Sequence, residues 1–309
     1  MKQWVVENKD NDFDGLAYKD APVPKVGERE VLVKLYAASL NYRDLVIPKG
    51  KYPFPAKFPV VLASDGSGEV VEVGPKVTEF KKGDHYGAID PPATLTGLGG
   101  VINGTLREYG VFSETGLVKA AKNHNAFENS TLTCAALTSW NALYGLKSLK
   151  PGQVVLVQGT GGVSMFGLQF AKAAGTTVIA TTSSAAKAEK LKKLGTDYII
   201  NYKDDTNWGE SARKLTPEGA GVDHVIKVGG LGTLTQSFKA IKYEGMISVT
   251  GFLDSGKDQD LLTILDTLSN IYTVRGVYMD SKELIKDIIR AIKANDIYSV
   301  LDKKVFTLN

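Results

Sequence analysis

The rhythm of apolar and polar positions changes near residue 150. Before that point, apolar residues come in short runs rich in β-branched and aromatic side chains, interrupted by Pro and Gly. Val31–Ala38, Gly68–Val73 and Leu106–Phe112 predict strands. Pro48, Pro53, Pro55 and Pro59 remove backbone donors and fix φ, so Ile47–Pro59 is predicted to be a loop. Beyond residue 150, apolar runs alternate with amphipathic segments. Strands are predicted at Val154–Gln158, Thr177–Thr182, Tyr198–Asn201, Val222–Val228, Gly245–Gly251 and Tyr272–Val277. Between them lie the helical patterns Gly162–Ala174, Ala185–Leu194 and Thr233–Ala240. The first two end at Gly175 and Gly195, a residue type that accepts left-handed backbone beyond a helix end. Ser281–Asn295 places Leu284, Ile285, Ile288, Ile289 and Ile292 on one side of a further helix. Strands apolar on both faces, alternating with helices, describe a parallel sheet covered on both sides. The expected fold is α/β, a β-rich domain followed by a doubly wound nucleotide-binding domain.

The length of 309 residues accommodates one large domain or two ordinary ones. Lys and Arg (37) nearly balance Asp and Glu (34) and are mixed along the chain, for a net charge of +3. No basic stripe of a nucleic-acid binder is present. A lone cysteine, Cys134, excludes an intramolecular disulfide and a cysteine-rich zinc site. Met1–Glu7 lacks the apolar stretch of a signal peptide, and no apolar run approaches the roughly 18–20 residues needed to span a bilayer. The expectation is a cytoplasmic protein acting on a small molecule, with neither membrane nor nucleic acid as partner.

The sharpest motif runs from Val154 to Ser164, Val-Val-Leu-Val-Gln-Gly-Thr-Gly-Gly-Val-Ser. It follows a strand and opens a helix, the context that a dinucleotide fingerprint requires. Gly159 permits the tight turn and Gly161 lets the backbone approach a pyrophosphate. Gly162 and Val163 begin a helix whose N–H groups and dipole face that anion. Ser164 stands where the third fingerprint glycine would be. At the end of the second strand, an NAD enzyme places Asp or Glu against the ribose diol. Here that stretch reads Thr181-Thr182-Ser183-Ser184, with Lys187 three residues on. Hydroxyls and a lysine suit a 2′-phosphate, so the expected cofactor is NADP; Ser183 or Ser184 also serves as a helix N-cap. Val228-Gly229-Gly230 and Gly251-Phe252-Leu253 end strands four and five, where ligands lie in such sheets.

With these residues in view, the chain resembles the medium-chain dehydrogenases/reductases over nearly its whole length. The resemblance is carried by Ala38-Ser39-Leu40-Asn41-Tyr42-Arg43-Asp44, by Leu62–Val71, by Val73-Gly74 with Phe80–Asp84, by the Thr131–Leu143 segment and by Gly159–Val163. It implies a GroES-like catalytic domain of residues 1–121 and 276–309 and a Rossmann domain of residues 122–275. It also implies cofactor contact at Thr138 and a homodimer. Asn41 and Ser64 fall where zinc enzymes of the superfamily hold a Cys and a His ligand, and only Cys134 keeps a thiol. This points to the zinc-free branch of quinone oxidoreductases and enoyl reductases, in which an Asn at the Asn41 position lines the active site. Ser184, Lys187 and Tyr202 fall where quinone reductases bind the 2′-phosphate. Relative to that family, the stretch from Gly83 to Gly104 is short and the chain stops at Asn309 before a final helix and strand.

The resulting expectation is hydride transfer from NADPH to a quinone or an α,β-unsaturated carbonyl, with no metal. Asn41 would donate an amide N–H to the substrate oxygen. Tyr42, Asp44 and Tyr52 would border the substrate, with Tyr42, Tyr52 or water as proton source. A zinc-free alcohol dehydrogenase or carbonyl reductase, and a catalytically weak NADPH-binding sensor or scaffold, are the alternatives. His224, in a predicted strand, and His85 and His124, in predicted loops, read as structural. The last strand, Tyr272–Val277, would leave a sheet edge for a second chain.

Overall fold

The computed structural model describes residues 1–89, 97–251, 266–268, 271–279 and 281–309. They form two compact units, Met1–Leu137 with Met279–Asn309, and Thr138–Tyr278.

The first unit is built on antiparallel sheets. One carries β1 (Lys2–Val6), β2 (Leu16–Asp20) and β4 (Val60–Val61) in the order β2-β1-β4. The other carries β3 (Glu30–Ser39), β5 (Asp65–Val73), β6 (His85–Ile89), β7 (Tyr109–Ser113) and β8 (Leu117–Lys119) in the order β7-β3-β5-β6-β8. Val31, Val33, Val70, Tyr86 and Leu117 fill its core. Strand β5 starts earlier than its apolar content suggests. Asp65, Gly66 and Ser67 contain no β-branched residue, but β3 pairs with them at Ser39, Ala38 and Ala37. The expected strand at Leu106–Phe112 starts later, at Tyr109, because Leu106 bonds instead to Trp4 of β1 and to Leu62 just beyond β4. His85 opens β6 rather than lying in a loop. Helix α1 (Tyr42–Val46) precedes the proline-rich loop, and α2 (Ala126–Asn129) leads into a π-helical turn, Leu132–Ala136. Helix α8 (Lys282–Asn295) returns to this unit with Ile285, Ile288 and Ile292 fully buried. Beyond it, Ile297 O is bonded to His124 Nε2 and Leu308 O accepts from Trp4 Nε1.

In the second unit six parallel strands run in the order β11-β10-β9-β12-β13-β14. They are β9 (Val154–Gln158), β10 (Thr177–Thr182), β11 (Tyr198–Asn201), β12 (Val222–Lys227), β13 (Ile241–Val249) and β14 (Thr273–Gly276). Helices α3 (Leu137–Tyr144), which begins at the unit boundary, α4 (Gly162–Ala173), α5 (Ala185–Lys193), α6 (Trp208–Lys214) and α7 (Leu234–Ala240) connect or flank them. Leu156, Ile179, Val225 and Ile247 are fully buried at the centre, and Trp208 packs with them. Truncating such a leucine to alanine costs about 2–5 kcal/mol. Strand β13 begins at Ile241, four positions before the expected start, and its pairing with β12 shifts register around Glu244, whose φ is +58°. The irregularity hides the strand's first residues from a pattern reading. Strand order reverses between β9 and β12, which places the ligand crevice of a doubly wound sheet at their carboxyl ends.

Among the described residues, no helix is long and apolar enough to cross a membrane.

Candidate functional site

The first element of the site is the turn between β9 and α4. Gly159 has φ +80°, which a side chain would strain, and its N–H is bonded to Thr181 O at 3.0 Å. Gly161 caps α4 in extended backbone without a side-chain cap. A Cβ built at Gly159 or at Gly161 meets no atom within 4 Å, so the turn faces open space and the first N–H groups of α4 border it. This cradle fits the pyrophosphate of a dinucleotide. Ser164 is buried and donates to Gln158 O at 2.6 Å, pinning the helix start to the strand end. The close approach expected of a third fingerprint glycine occurs instead at Gly167. A Cβ there would lie 2.4 Å from Ile226 Cδ1. The start of α3 joins the same place, since Ser139 Oγ donates to Val163 O. Thr138 is buried beside it.

The second element is the end of β10. Ser184 caps α5 and accepts from Lys187 N at 3.4 Å. Lys187 Nζ reaches Ser183 Oγ at 3.4 Å from an exposed position. Tyr202 joins them because its N–H is bonded to Thr182 O at 3.0 Å, and its ring is exposed. Thr182 Oγ is buried without a hydrogen-bond partner among the described residues. The Ser183 and Ser184 hydroxyls and the Lys187 ammonium thus share the start of α5, and the stretch Thr181–Lys187 contains no carboxylate.

At the other side of the crevice Gln158 ties strand ends together. Its Oε1 accepts from Gly229 N and from Thr233 Oγ1, each at 3.2 Å, and its Nε2 donates to Ser237 Oγ at 2.8 Å. Thr250 donates to Lys227 O at 2.9 Å, which brings Gly251 beside Val228. Phe252 and Leu253 lie outside the described residues. Two residues here escape sequence reasoning. Gln158 reads as the last strand position, and Lys227 reads as surface, yet it is 2% exposed and its Nζ donates to Gly230 O. His224, also buried, is pushed down to about 4 by burial.

The first unit holds a separate polar cluster where α1, the start of β5 and the π-helical turn meet. Asn41 N donates to Asp44 Oδ2 at 2.8 Å, and Ala63 N donates to Asp44 Oδ1 at 3.2 Å. Asp44 is therefore buried and occupied in capping α1. Asn41 Nδ2 donates to Asp65 Oδ2 at 2.6 Å, with longer contacts to Ser39 O and Ser64 Oγ. Asp65 Oδ1 accepts from Cys134 N at 2.8 Å. The donor end of the Asn41 amide thus faces inward.

Arg43 is buried with its guanidinium 5.0 Å from the Tyr52 ring centre, and its Nε and Nη1 have no hydrogen-bond partner among the described residues. Tyr42 is exposed, and Tyr52 stacks edge-on with Phe54. Burial pushes the Asp65 carboxyl up to about 7, opposed by the Asn41 hydrogen bond and reinforced by the Asp44 carboxylate. Asp44 is also raised, first by burial. The Cys134 thiol is pushed up by burial and then by Asp65. Among the described residues, no group of three His, Cys, Asp or Glu could hold a metal ion. The amide of Asn41 and the hydroxyl of Ser64 are poor zinc donors, so the residues present do not fit that metal.

Residues 27–122 match the alcohol dehydrogenase GroES-like domain, and residues 162–294 match the zinc-binding dehydrogenase family. The chain is 45% identical to a zinc-type alcohol dehydrogenase-like protein of Schizosaccharomyces pombe, over 97% of this chain and 91% of that one. It is 38% identical to a chloroplastic quinone oxidoreductase of Triphysaria versicolor, over 69% of this chain and 63% of that one. Its fold superimposes on a quinone oxidoreductase of Pseudomonas syringae pv. tomato DC3000 with a TM-score of 0.81 and 27% identity, covering 96% of this chain and 89% of that one.

Proposed function

Because the chain belongs to the medium-chain dehydrogenase/reductase superfamily, in its quinone oxidoreductase-like branch, we propose that this oxidoreductase uses NADPH to reduce a quinone or an α,β-unsaturated carbonyl without a catalytic metal. What supports the reading is that Asn41 and Ser64 stand where, by resemblance, zinc enzymes of the superfamily hold two ligands, and that the Asn41 amide is bonded to Asp65. A simple carbonyl needs a Lewis acid to polarise it. A quinone or enone spreads the incoming negative charge onto a distant oxygen, which an amide donor can stabilise. The bound reduced nicotinamide supplies the hydride. The protein's residues hold it, through the Gly159–Ser164 turn for the pyrophosphate and Ser183, Ser184, Lys187 and Tyr202 for the 2′-phosphate. Thr138, Val228, Gly229, Gly251, Phe252 and Leu253 complete the proposed contacts. Asn41 orients the substrate oxygen, Tyr42 and Tyr52 border the substrate, and Asp44 fixes the helix that carries them.

The test is NADPH oxidation with quinones, enones and aldehydes in parallel, before and after treatment with a chelator. Turnover of quinones or enones that survives the chelator is the expected result. Turnover of aldehydes alone would favour a zinc-free carbonyl reductase. Tight NADPH binding with no turnover would favour a sensor or scaffold. About one zinc per chain, with activity lost to the chelator, would refute the metal-free mechanism.

Strand β14 has β13 on one side and no other described strand on its outer side, and its Val274 and the preceding Ile271 are exposed. Such an edge is satisfied by a second copy in a two-fold pairing. Light scattering at micromolar concentration is expected to give the mass of two chains; a monomeric mass would remove the dimer from the reading.

A further inference from the structure

A buried charge is costly to hold without a partner, so buried cations are ordinarily paired. Arg43 departs from that rule. It is 8% exposed, and neither Nε nor Nη1 has a hydrogen-bond partner among the described residues. The two carboxylates of the same cluster serve other groups. Asp44 accepts from Asn41 N and Ala63 N, and Asp65 accepts from Asn41 Nδ2 and Cys134 N, so all four oxygens face other donors. The guanidinium lies instead 5.0 Å from the Tyr52 ring centre. A ring attracts the charge but does not replace an oxygen acceptor for the N–H groups. The space beside the guanidinium is kept by a glycine. A Cβ at Gly100 would lie 2.6 Å from Arg43 Nη2, with Gly97 O and Pro55 O at 3.5 and 3.6 Å. Gly100 is not among the glycines with left-handed backbone, and its carbonyl accepts from Lys57 N at 3.0 Å, which ties it to the proline-rich loop. The missing side chain thus makes room for the guanidinium rather than for a turn.

We propose that Arg43 anchors a carboxylate carried by the substrate, so that the compound reduced is an unsaturated keto acid. The inference rests on the reductase reading for the unsaturated carbonyl, but the anchor itself does not. A guanidinium presents its N–H groups in a rigid planar fork that matches a planar carboxylate. One cation also balances one charge. A dianionic phosphate would bring a second charge into a cluster that already holds Asp44 and Asp65, with nothing to offset it. Tyr52, which borders the substrate in the proposed reaction, is the ring against which the guanidinium packs. An anion on Arg43 therefore lies beside the place given to the substrate. Held there by one end, a keto acid leaves its ketone oxygen, at the other end, for Asn41.

Two measurements on the full chain test the proposal. The first needs no turnover. Levulinate, a saturated keto acid, and its neutral amide are titrated calorimetrically. Levulinate should bind at least about tenfold more tightly than the amide, the worth of one charge-assisted hydrogen bond, and the advantage should vanish in Arg43→Gln. Equal binding of the two, binding of neither, or an advantage kept in Arg43→Gln would overturn the proposal. Should Arg43→Gln fail to fold, Gly100→Ala takes its place. The one atom within 3 Å of its new methyl is the end of the Arg43 side chain, so the guanidinium is pushed aside while its charge stays. This variant should erode the advantage by about threefold or more, and an unchanged advantage would overturn the proposal. The second measurement is kcat/KM with NADPH for acetylacrylate, an enone that carries a carboxylate, and for its methyl ester. The acid-to-ester ratio should fall about tenfold to a hundredfold in Arg43→Gln, and by less in Arg43→Lys, which keeps the charge but loses the fork. A purely structural arginine would lower both compounds alike, and that result would overturn the proposal, as would turnover of quinones with neither acid nor ester reduced. Failure of every compound, with levulinate still held through Arg43, would sink the reductase reading alone.

Discussion

Replacing Gly161 by valine is expected to weaken dinucleotide binding by at least about a hundredfold while leaving the fold intact. The residue sits at φ −80° and ψ 172°, a conformation a β-branched side chain adopts freely. A Cβ there meets nothing within 4 Å, so no protein atom resists it. The new side chain instead occupies the space in front of the α4 N-terminus, where the pyrophosphate would accept backbone N–H bonds. Losing two such charge-assisted bonds accounts for the magnitude, since a hundredfold corresponds to about 2.7 kcal/mol. Fluorescence titration with NADPH and a thermal melt measure the two halves. Unchanged affinity would mean that the anion does not lie against this turn. A melting temperature lowered by more than about 5 °C would mean that the position is structural.

The other large effect concerns the choice between NADPH and NADH. The unmodified protein should favour NADPH, and Lys187→Ala should cost it roughly tenfold in NADPH affinity while changing NADH little. Ser183 Oγ lies 3.4 Å from the Lys187 ammonium, Ser184 caps the same helix start, and the stretch Thr181–Lys187 carries no carboxylate to repel a phosphate. Because Lys187 is exposed, salt screens part of its contribution, so the difference should shrink at high ionic strength. Comparing kcat/KM for both cofactors on both proteins decides the matter. Equal use of NADH by the unmodified protein would refute the preference. An equal loss with both cofactors in the variant would make Lys187 a structural residue.

The sequence was most legible where one local signal decides the structure. Strands β9, β10 and β11 lie where their apolar and β-branched runs place them: β9 is buried at every position, β10 at all but its first, and the edge strand β11 at Ile200. The first unit was harder to read. Val60–Val61 is too short to register as a strand, and Asp65–Ser67 is held extended by its partner β3 rather than by its own side chains. The polar cluster was half legible. Asn41 was visible through family resemblance, but its commitment to Asp65 depends on residues 24 positions apart in the chain. Lys227 was missed because a lysine ending an apolar strand reads as solvated. Gly167 carried a signal that could have been used, a glycine on the sheet-facing side of α4 one turn beyond the fingerprint.

The division of the chain into units also has a consequence for synthesis. The second unit is one continuous stretch, Thr138–Tyr278, whereas the first begins at Met1 and is completed by Met279–Asn309. The residues that close the first unit are thus made only after the whole of the second. Ile285, Ile288 and Ile292 cover its apolar surface, and Ile297 and Leu308 supply acceptors for His124 and Trp4. At about 5–20 residues per second, a ribosome needs roughly 9–34 s to travel from residue 137 to residue 309. The N-terminal sheets therefore emerge first but wait with an open apolar face, while the second unit has all of its own sequence to fold as soon as it emerges. Vectorial synthesis thus completes the sequence of the second unit before that of the first.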